Sequence, residues 1–388
     1  MLEKRVILLA VLAAVWTGCR HVEHEAFRVP SGGHAAALSP LLPPPDRPAE
    51  PSPLPVMEPV MEPAVSSAAP VAPAAPSIVL PSSVPGWTNR FSEVWVPLDA
   101  LCEALGIEMA APPAAGNGPV ELRTPHGPLL LYPGQAVARW NKIDLWLGFG
   151  LRRLQGLWRL HVLDAQKNLE PLLRPDPVPC VSSRTIVVDP GHGGADPGAS
   201  NTVTGQWEKD YTLDWAQRLE PLLADQGWTV VLSRDEDVDC PLADRVRLNG
   251  DAQPDLFLSL HFNSAKGDPR SSGIETYCLT PTGMPSHVAR ENSDNLAAVF
   301  PNNAFDADNL RYAARLHECL VRASGAPDRG VRRARFMGVL RGQAQPAVLI
   351  EGGYLSNPDE ARKIADPDYR QKLAEAVAEA LDLRPPAQ

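Results

Sequence analysis

The chain has 388 residues and a formal net charge of −10 at pH 7, with 46 acidic residues against 36 basic ones. This acidic balance, together with the absence of a basic patch interleaved with aromatic residues, argues against nucleic acid as a partner. Once a leader and a tether are subtracted, the length accommodates one small domain and one larger domain with a core of its own.

Residues 1–19 have the pattern of a secretory leader. Lys4 and Arg5 precede an apolar run of signal-peptide length, and small residues stand directly before Cys19. The arrangement resembles a bacterial lipoprotein signal, which implies cleavage before Cys19, a lipid anchor there and a location in the cell envelope or periplasm. An ordinary secretory signal is the alternative. No second long apolar stretch follows, so the sequence predicts no membrane-spanning helix.

Residues 20–82 are rich in Pro, Ala, Ser and Glu. Proline restricts the backbone and removes hydrogen-bond donors, so this composition predicts a disordered, semi-rigid linker rather than a packed core. Such a linker would space the folded part from the membrane.

Residues 83–176 form a predicted small α+β domain. A strand, Pro97 and a short amphipathic helix closed by Gly106 are followed by the strand-like runs VELRTP, PLLLYPG, AVARWNKIDLWLG and LWRLHVLDAQKNLEPLL. Together they resemble the stalk-like domain near the N-terminus of copper amine oxidases, which implies attachment or spacing. Trp140, Trp146 and Trp158 are predicted to lie in the core rather than to stack on sugars.

The run Thr185 to Val188 is continuously apolar and β-branched, which is typical of a strand buried on both faces of a parallel sheet. A glycine-rich turn follows and carries His192. No G-x-x-x-x-G-K-[ST] motif is present, so the turn is not a nucleotide loop.

Three further polar residues follow predicted elements. Glu208 lies near the start of a predicted helix, while His261 and Glu351 each end an apolar strand. Ligands bind beyond the carboxyl ends of strands in open α/β sheets, so we expect these side chains to converge with His192. Two imidazoles and one carboxylate are the protein ligands of a catalytic zinc site, with a second carboxylate left as acid/base. The chain contains no C-x-x-C pair, so the sequence does not indicate a zinc site built from thiolates.

Several motifs then match a known family in order and spacing: DPGHGGADPGA, WEKDYTL, SLHFN, GIETYCL, RGVRRARFMGVL and VLIEGGYLSNPDE. From Arg184 to Leu383 the chain resembles zinc-dependent N-acetylmuramoyl-L-alanine amidases. The resemblance implies that peptidoglycan is the substrate and that the amide between N-acetylmuramic acid and L-alanine is hydrolysed. It also implies a role for each residue: zinc ligands His192, Glu208 and His261, and catalytic acid/base Glu351.

One departure from the family pattern is Phe262, where the family carries a small residue, and it is expected to reshape the rim near His261. Two other functions remain open: a zinc peptidase acting on stem peptides, and an inactive wall-binding or activator protein. A protein activator cannot be identified from the sequence.

Other polar residues receive weaker assignments. Glu275 could compete as ligand or base, although a structural role is favoured, and Asn263 either donates to substrate or caps a turn. Arg234 and Arg245 are expected to pair with nearby acids: Asp235, Asp237 or Asp244. Structural roles are the default for His287 and His317. The arginines of RGVRRAR either touch substrate carboxylates or form a solvated face: Arg329, Arg332, Arg333 and Arg335.

The fold class predicted for residues 183–388 is α/β, with three layers and a mostly parallel twisted sheet covered by helices on both faces. A closing helix is expected at about residues 368–381. Residues 280–307 are too irregular for sheet and too short for an inhibitory helix, which predicts an open groove.

Overall fold

The structure is a computed structural model that describes residues 95–110, 118–173, 181–265, 267–289 and 294–382. The predicted leader, the predicted linker and the first residues of the small domain therefore lie outside the described residues. Among the helices that are described, none is both long and apolar enough to cross a membrane.

The described chain up to residue 173 consists of short strands and helices. In chain order they are β1 (Trp95–Pro97), α1 (Leu98–Leu105), β2 (Glu108–Met109), β3 (Val120–Thr124), β4 (Gly127–Leu131), β5 (Val137–Trp140), β6 (Ile143–Trp146), β7 (Arg152–Leu154), β8 (Leu157–His161), α2 (Val162–Asp164), a π-helical turn (Ala165–Leu169) and α3 (Glu170–Leu173). Helix α1 ends where predicted, because Gly106 adopts a left-handed conformation with a φ of 66°.

The prediction of a strand-like run through residues 157–173 is wrong beyond His161. The side chain of His161 accepts a hydrogen bond from the Leu163 backbone amide over 3.1 Å and so caps a helical segment. Asn168 then donates to the fully buried carboxylate of Asp164 over 3.0 Å. A side-chain contact between residues four apart is what a helical turn brings together, and the apolar residues alone did not reveal it.

From residue 181 onward strands and helices alternate. In chain order they are β9 (Thr185–Pro190), α4 (Glu208–Asp225), β10 (Thr229–Leu232), α5 (Leu242–Ala252), β11 (Leu256–Asn263), β12 (Ile274–Cys278), a 3-10 turn (Pro301–Phe305), α6 (Asp306–Ser324), β13 (Asp328–Arg333), α7 (Gly338–Arg341), β14 (Ala347–Tyr354), α8 (Pro358–Ala365) and α9 (Pro367–Ala380). Helix α9 confirms the predicted closing helix. Among the described residues of 280–307 no strand is present, as predicted, although residues 301–307 form the 3-10 turn and the first residues of α6. The open groove stays a prediction.

Neighbouring residues of the buried strands face opposite layers. Ile186 and Val188 of β9 pack in the core that includes α4, α6 and α9, whereas Val187 packs in a second core beside α5 and α7. This alternation is the pleat of a strand covered on both sides. The structure therefore confirms the predicted α/β class with helices on both faces of the sheet.

The main sheet has the strand order β10-β9-β11-β14-β12-β13-β6-β5-β4-β3-β2, and β1, β8 and β7 form a separate sheet. Strands β10, β9, β11 and β14 are parallel, while β12 is antiparallel to β14. Strand β13 pairs in parallel with β6 through Val331 and Leu145. One continuous sheet thus runs from the amidase-like part into the predicted small domain. We call the β6–β13 junction the seam.

Candidate active site

The loop after β9 places His192 at the carboxyl end of that strand. His192 has a φ of 63°, a left-handed conformation that is uncommon for a residue with a side chain. A Cβ on Gly191 would overlap the ring of His261, so a glycine is required for the two histidines to approach each other. The glycine-rich turn predicted from the sequence therefore serves to bring ligands together.

Arg245 stabilises this loop through hydrogen bonds to its backbone, a role that the sequence did not predict. Its guanidinium pairs with the buried Asp189 and donates to the carbonyl oxygens of Pro190 over 2.9 Å and of His192 over 2.6 Å. Arg245 therefore fixes the backbone on both sides of Gly191. The expected partner Asp244 is instead within 3.2 Å of Arg247.

Arg234 has a matching role, again in place of the predicted ion pairs. It donates to the carbonyl oxygens of Pro190 over 3.1 Å and of Gly191 over 2.9 Å. Asp237, one expected partner, binds Lys209 over 2.6 Å and accepts the Gly194 amide over 2.8 Å. The two arginines therefore supply hydrogen bonds to the backbone carbonyl groups of Pro190, Gly191 and His192.

Glu208 is the first residue of α4, as predicted, and only 4% of it is exposed. Its carboxylate accepts the backbone amides of Ala199 and Phe262, each over 3.0 Å. It also lies 3.1 Å from His192 Nε2 and 3.0 Å from His261 Nδ1. The backbone donors orient the carboxylate, so its position between the histidines does not depend on the imidazoles alone.

His261 and Glu351 are opposite each other on the parallel strands β11 and β14. Glu351 is 3% exposed, and its Oε2 atom has no hydrogen-bond partner among the described residues. A buried carboxylate oxygen without a partner is costly unless a ligand completes it. Glu351 therefore lies beside the histidines with an unused acceptor.

The donor atoms of His192, Glu208 and His261 all lie within 4.8 Å of one another. The two imidazole rings meet edge to face with centroids 4.9 Å apart. At Gly198 an added Cβ would come within 2.8 Å of a Glu208 carboxylate oxygen, so the wall of the cluster also requires glycine. Two imidazole nitrogens and a carboxylate fit a zinc ion that keeps a fourth position open.

Asp196 supports the cluster from behind His192, a role that the sequence did not predict. Its Oδ2 lies 2.9 Å from His192 Nδ1, which leaves Nε2 directed to Glu208. A carboxylate behind an imidazole is the usual support of a metal-binding histidine. The available signal was its position four residues after His192 within the same glycine-rich turn.

Charges within the cluster shift its pKa values. Burial lowers the pKa of His192, but the carboxylates of Glu208 and Asp196 outweigh it and raise that pKa to about 10. Burial would raise the pKa of Glu208, yet the two histidines hold it below its ordinary value. Burial, with the charges of Glu208 and Glu275, raises the pKa of Glu351 well above its usual range. A raised carboxyl pKa suits an acid/base that works near neutral pH.

Glu275 does not join the donor cluster, although it was the competing candidate. It is fully buried on β12 and accepts Arg329 Nε over 2.6 Å, Tyr354 OH over 2.8 Å and Asn263 Nδ2 over 3.0 Å. Asn263 also accepts the Ser264 backbone amide at Oδ1 over 2.7 Å, which favours the alternative that it caps the following turn.

Other predicted side chains have structural contacts. His317 is fully buried between Thr276 and Asp328, and His287 stacks on Trp146 with centroids 3.4 Å apart. Phe262 is 1% exposed and packs against a buried tryptophan, so the expectation that it reshapes the rim is wrong.

Comparison with known proteins identifies the family. The sequence model described as N-acetylmuramoyl-L-alanine amidase matches residues 186–382. The "Uncharacterized protein YqiI" of Bacillus subtilis is 32% identical over 202 residues, which cover 52% of this chain and 85% of that protein. The "Sporulation-specific N-acetylmuramoyl-L-alanine amidase" of the same organism is 33% identical over 199 residues, covering 51% of this chain and 66% of that amidase.

A solved structure, the catalytic domain of the N-acetylmuramoyl-L-alanine amidase CwlV from Bacillus (Paenibacillus) polymyxa, is 30% identical and aligns with a TM-score of 0.42. The alignment covers 51% of this chain and 95% of that domain. The family match spans half of the chain and contains each residue of the donor cluster. The chain therefore belongs to the N-acetylmuramoyl-L-alanine amidase family.

Proposed function

We propose that the chain is a zinc hydrolase that cleaves the amide between N-acetylmuramic acid and L-alanine in peptidoglycan. The observation that carries this proposal is the unpartnered carboxylate oxygen of Glu351 next to two histidines and a glutamate. In the proposed reaction this buried oxygen of Glu351 is the atom that takes up the proton of the attacking water. The family match supports the choice of bond.

In this proposal His192, Glu208 and His261 hold the zinc ion. When bound, zinc supplies the Lewis acidity that makes water a nucleophile at neutral pH. Glu351 accepts the proton of the attacking water at its free oxygen and later returns it to the leaving amine nitrogen. Its raised pKa favours this return, because a carboxyl group that holds a proton can act as the acid.

The surrounding residues keep these groups in position. Asp196 accepts a hydrogen bond from His192 Nδ1, so that Nε2 is the ring nitrogen that would hold the ion. Arg245 and Arg234 hold the carbonyl groups of the loop, which limits movement of His192 away from Glu208. Correct placement matters because small displacements of catalytic groups lower rates strongly.

Peptidoglycan lies outside the cytoplasmic membrane, so an extracytoplasmic location belongs to the proposal. Lipid attachment at Cys19, in the periplasm or elsewhere in the envelope, stays a prediction because Cys19 lies outside the described residues. The same holds for the tether and for a role of residues 83–176 as a spacer.

Digestion of purified cell walls by the full chain tests the proposal. With zinc supplied, mass analysis should detect free stem peptides beginning with L-alanine and intact glycan strands. Shortened stem peptides would indicate a peptidase instead, and no release would indicate a wall-binding or activator protein. Either result would overturn the amidase assignment. A sample stripped of metal should regain activity when zinc is added back.

A further inference from the structure

The guanidinium of Arg329 lies close to the proposed active site but has no role in the mechanism above. Arg329 is the second residue of β13, and 27% of its side chain is exposed. Its Nε donates to Glu275, while its two terminal nitrogens have no hydrogen-bond partner among the described residues. An Arg side chain has five N–H donors, so most of its hydrogen-bonding capacity is unused.

Strand pairing places Arg329 in a row with the catalytic residues. His261 is opposite Glu351, Glu351 is opposite Glu275, and Arg329 lies where β13 runs beside Glu275. Adjacent strands are about 4.8 Å apart, so the backbones of Glu351 and Arg329 are separated by about 10 Å. The Arg329 side chain extends towards β14, the strand of Glu351, because its guanidinium carbon lies 5.1 Å from the ring centroid of Tyr354 in that strand.

Buried contacts keep this guanidinium in place. Tyr354 OH donates to the same Glu275 carboxylate over 2.8 Å, so ring and acid together orient Arg329. Arg332 donates from Nε to the backbone oxygen of Arg329 over 2.8 Å. A long side chain held at its Nε and its flat face loses little further freedom when its remaining donors bind an anion.

The local charge favours an anion. Arg329 and Arg332 lie 2.6 Å and 3.4 Å from the single carboxylate of Glu275, so two positive charges face one negative charge. The neighbouring carboxylate of Asp328 is occupied by His317 at 2.8 Å and by the backbone amides of Asp144 and Gly330. Among the described residues, Glu275 is the only carboxylate within 4.0 Å of the Arg329 guanidinium, and the buried Glu360 acts on Arg329 at longer range.

We propose that Arg329 binds a free carboxylate on the second residue of the stem peptide. The inference rests on the proposed function and adds a specificity to it. The second residue of a peptide lies about 7 Å from the scissile amide, which is within reach of a guanidinium over Tyr354. Terminal guanidinium nitrogens bind a carboxylate through two parallel hydrogen bonds, a geometry that a neutral carboxamide cannot reproduce.

The test uses two soluble muramyl peptides that differ in one group. One carries a free carboxylate on the second residue, and the other carries a carboxamide there. Wild-type protein should show a kcat/KM about tenfold higher for the carboxylate, mainly through a lower KM. In Arg329→Gln this ratio should fall to nearly one, and Arg329→Lys should retain part of it.

A ratio measured within one variant is insensitive to a general loss of activity. If Arg329→Gln disturbs Glu275 and hence Glu351, both peptides are affected alike and the ratio still reports recognition. Arg322→Gln is the matched control, since Arg322 is half exposed and pairs with one carboxylate, Glu379, at 2.7 Å. Its ratio should equal that of the wild type.

The outcomes separate this inference from the proposed function. Equal turnover of both peptides by the wild type, or an unchanged preference in Arg329→Gln, would overturn the role of Arg329 while the amidase activity stands. Hydrolysis of neither peptide nor of cell walls would overturn the proposed function and the inference together.

Discussion

The two ends of the continuous sheet are built in different ways. Strands β9, β11 and β14 are parallel, and nearly every residue in them is buried. Strands β3 to β6 form antiparallel hairpins with buried and partly exposed residues in alternation. Parallel strands bring their carboxyl ends to one edge, where the ends of β11 and β14 carry His261 and Glu351 and the loop after β9 carries His192. The hairpins bury one face, and their described residues hold no cluster of possible metal ligands.

The seam joins these two ends through hydrogen bonds between side chains and backbone groups. Trp146 Nε1 donates to the Arg329 backbone over 3.3 Å, and the Asp144 amide donates to Asp328 over 2.8 Å. Arg333 crosses from β13 to bind the carbonyl oxygen of Lys167 over 3.0 Å. The small part is thus tied to the strand that carries Arg329, which distinguishes it from a module on a flexible tether.

The largest effect is expected for Glu351→Gln, which tests the proposed active site at the parallel end of the sheet. Glutamine has the shape of the acid but cannot exchange the proton, so kcat should fall by about 10²- to 10⁴-fold while zinc content stays at the wild-type level. Activity on cell walls and metal analysis of the same samples check this. His192→Ala should lose both zinc and activity. A glutamine variant that kept its turnover would remove Glu351 from its proposed role.

Asp196→Ala should weaken zinc binding without removing a ligand. Loss of the hydrogen bond to His192 Nδ1 frees the ring to rotate, and the zinc affinity should fall about 10- to 100-fold. Competition with a chelating indicator measures this. Asp235→Ala provides the control, because Asp235 is exposed and lies on the neighbouring loop. Equal affinities in the two variants would contradict a supporting role for Asp196.

Trp146→Ala tests whether the seam contributes to stability. The change removes the hydrogen bond to Arg329, the stacking on His287 and the cation-π contact with Arg332, so we expect a loss of about 3 kcal/mol in the free energy of unfolding. Urea denaturation measures it. Trp207→Ala, at a tryptophan that is 44% exposed, should cost less than about 1 kcal/mol. Similar losses in both variants would show that the contacts of Trp146 at the seam contribute no more to the free energy of unfolding than those of an exposed tryptophan.

The smallest expected effect is a pH dependence of the same junction. Burial, and then the charge of Arg332, lowers the pKa of His287 to about 3. Below pH 6.5 the unfolded chain takes up a proton at His287 that the folded protein does not accept until about pH 3. Acid should therefore destabilise the wild type more than His287→Phe.

Urea unfolding of the wild type and of His287→Phe at pH 7 and pH 5 gives the loss in free energy of unfolding for each protein between the two pH values. The two losses are then compared. Phenylalanine keeps a flat ring against Trp146 but cannot take up a proton. Parallel loss of stability in both proteins would exclude His287 as the source of the acid sensitivity at the seam.

Much of the parallel end was predictable because its signals are local. Continuous β-branched runs predicted β9, helical spacing placed Glu208 at the start of α4, and glycines marked the turn around His192. The contacts of Arg234 and Arg245 were not predictable. Each could pair with acids nearby in the sequence, and only the packed loop offered unpaired carbonyl groups 50 or so residues away.

The α/β class, the start of the helix that carries Glu208 and the four residues proposed for the site could be predicted from the amino-acid sequence, because periodicity, strand ends and turns are encoded within short segments. Only the tertiary structure decided that β6 joins β13, that Glu275 is held among arginines and tyrosines, and that Arg329 keeps free donors. The Asp144 to Asp328 hydrogen bond spans 184 positions, and no local pattern specifies which distant strand completes a sheet edge.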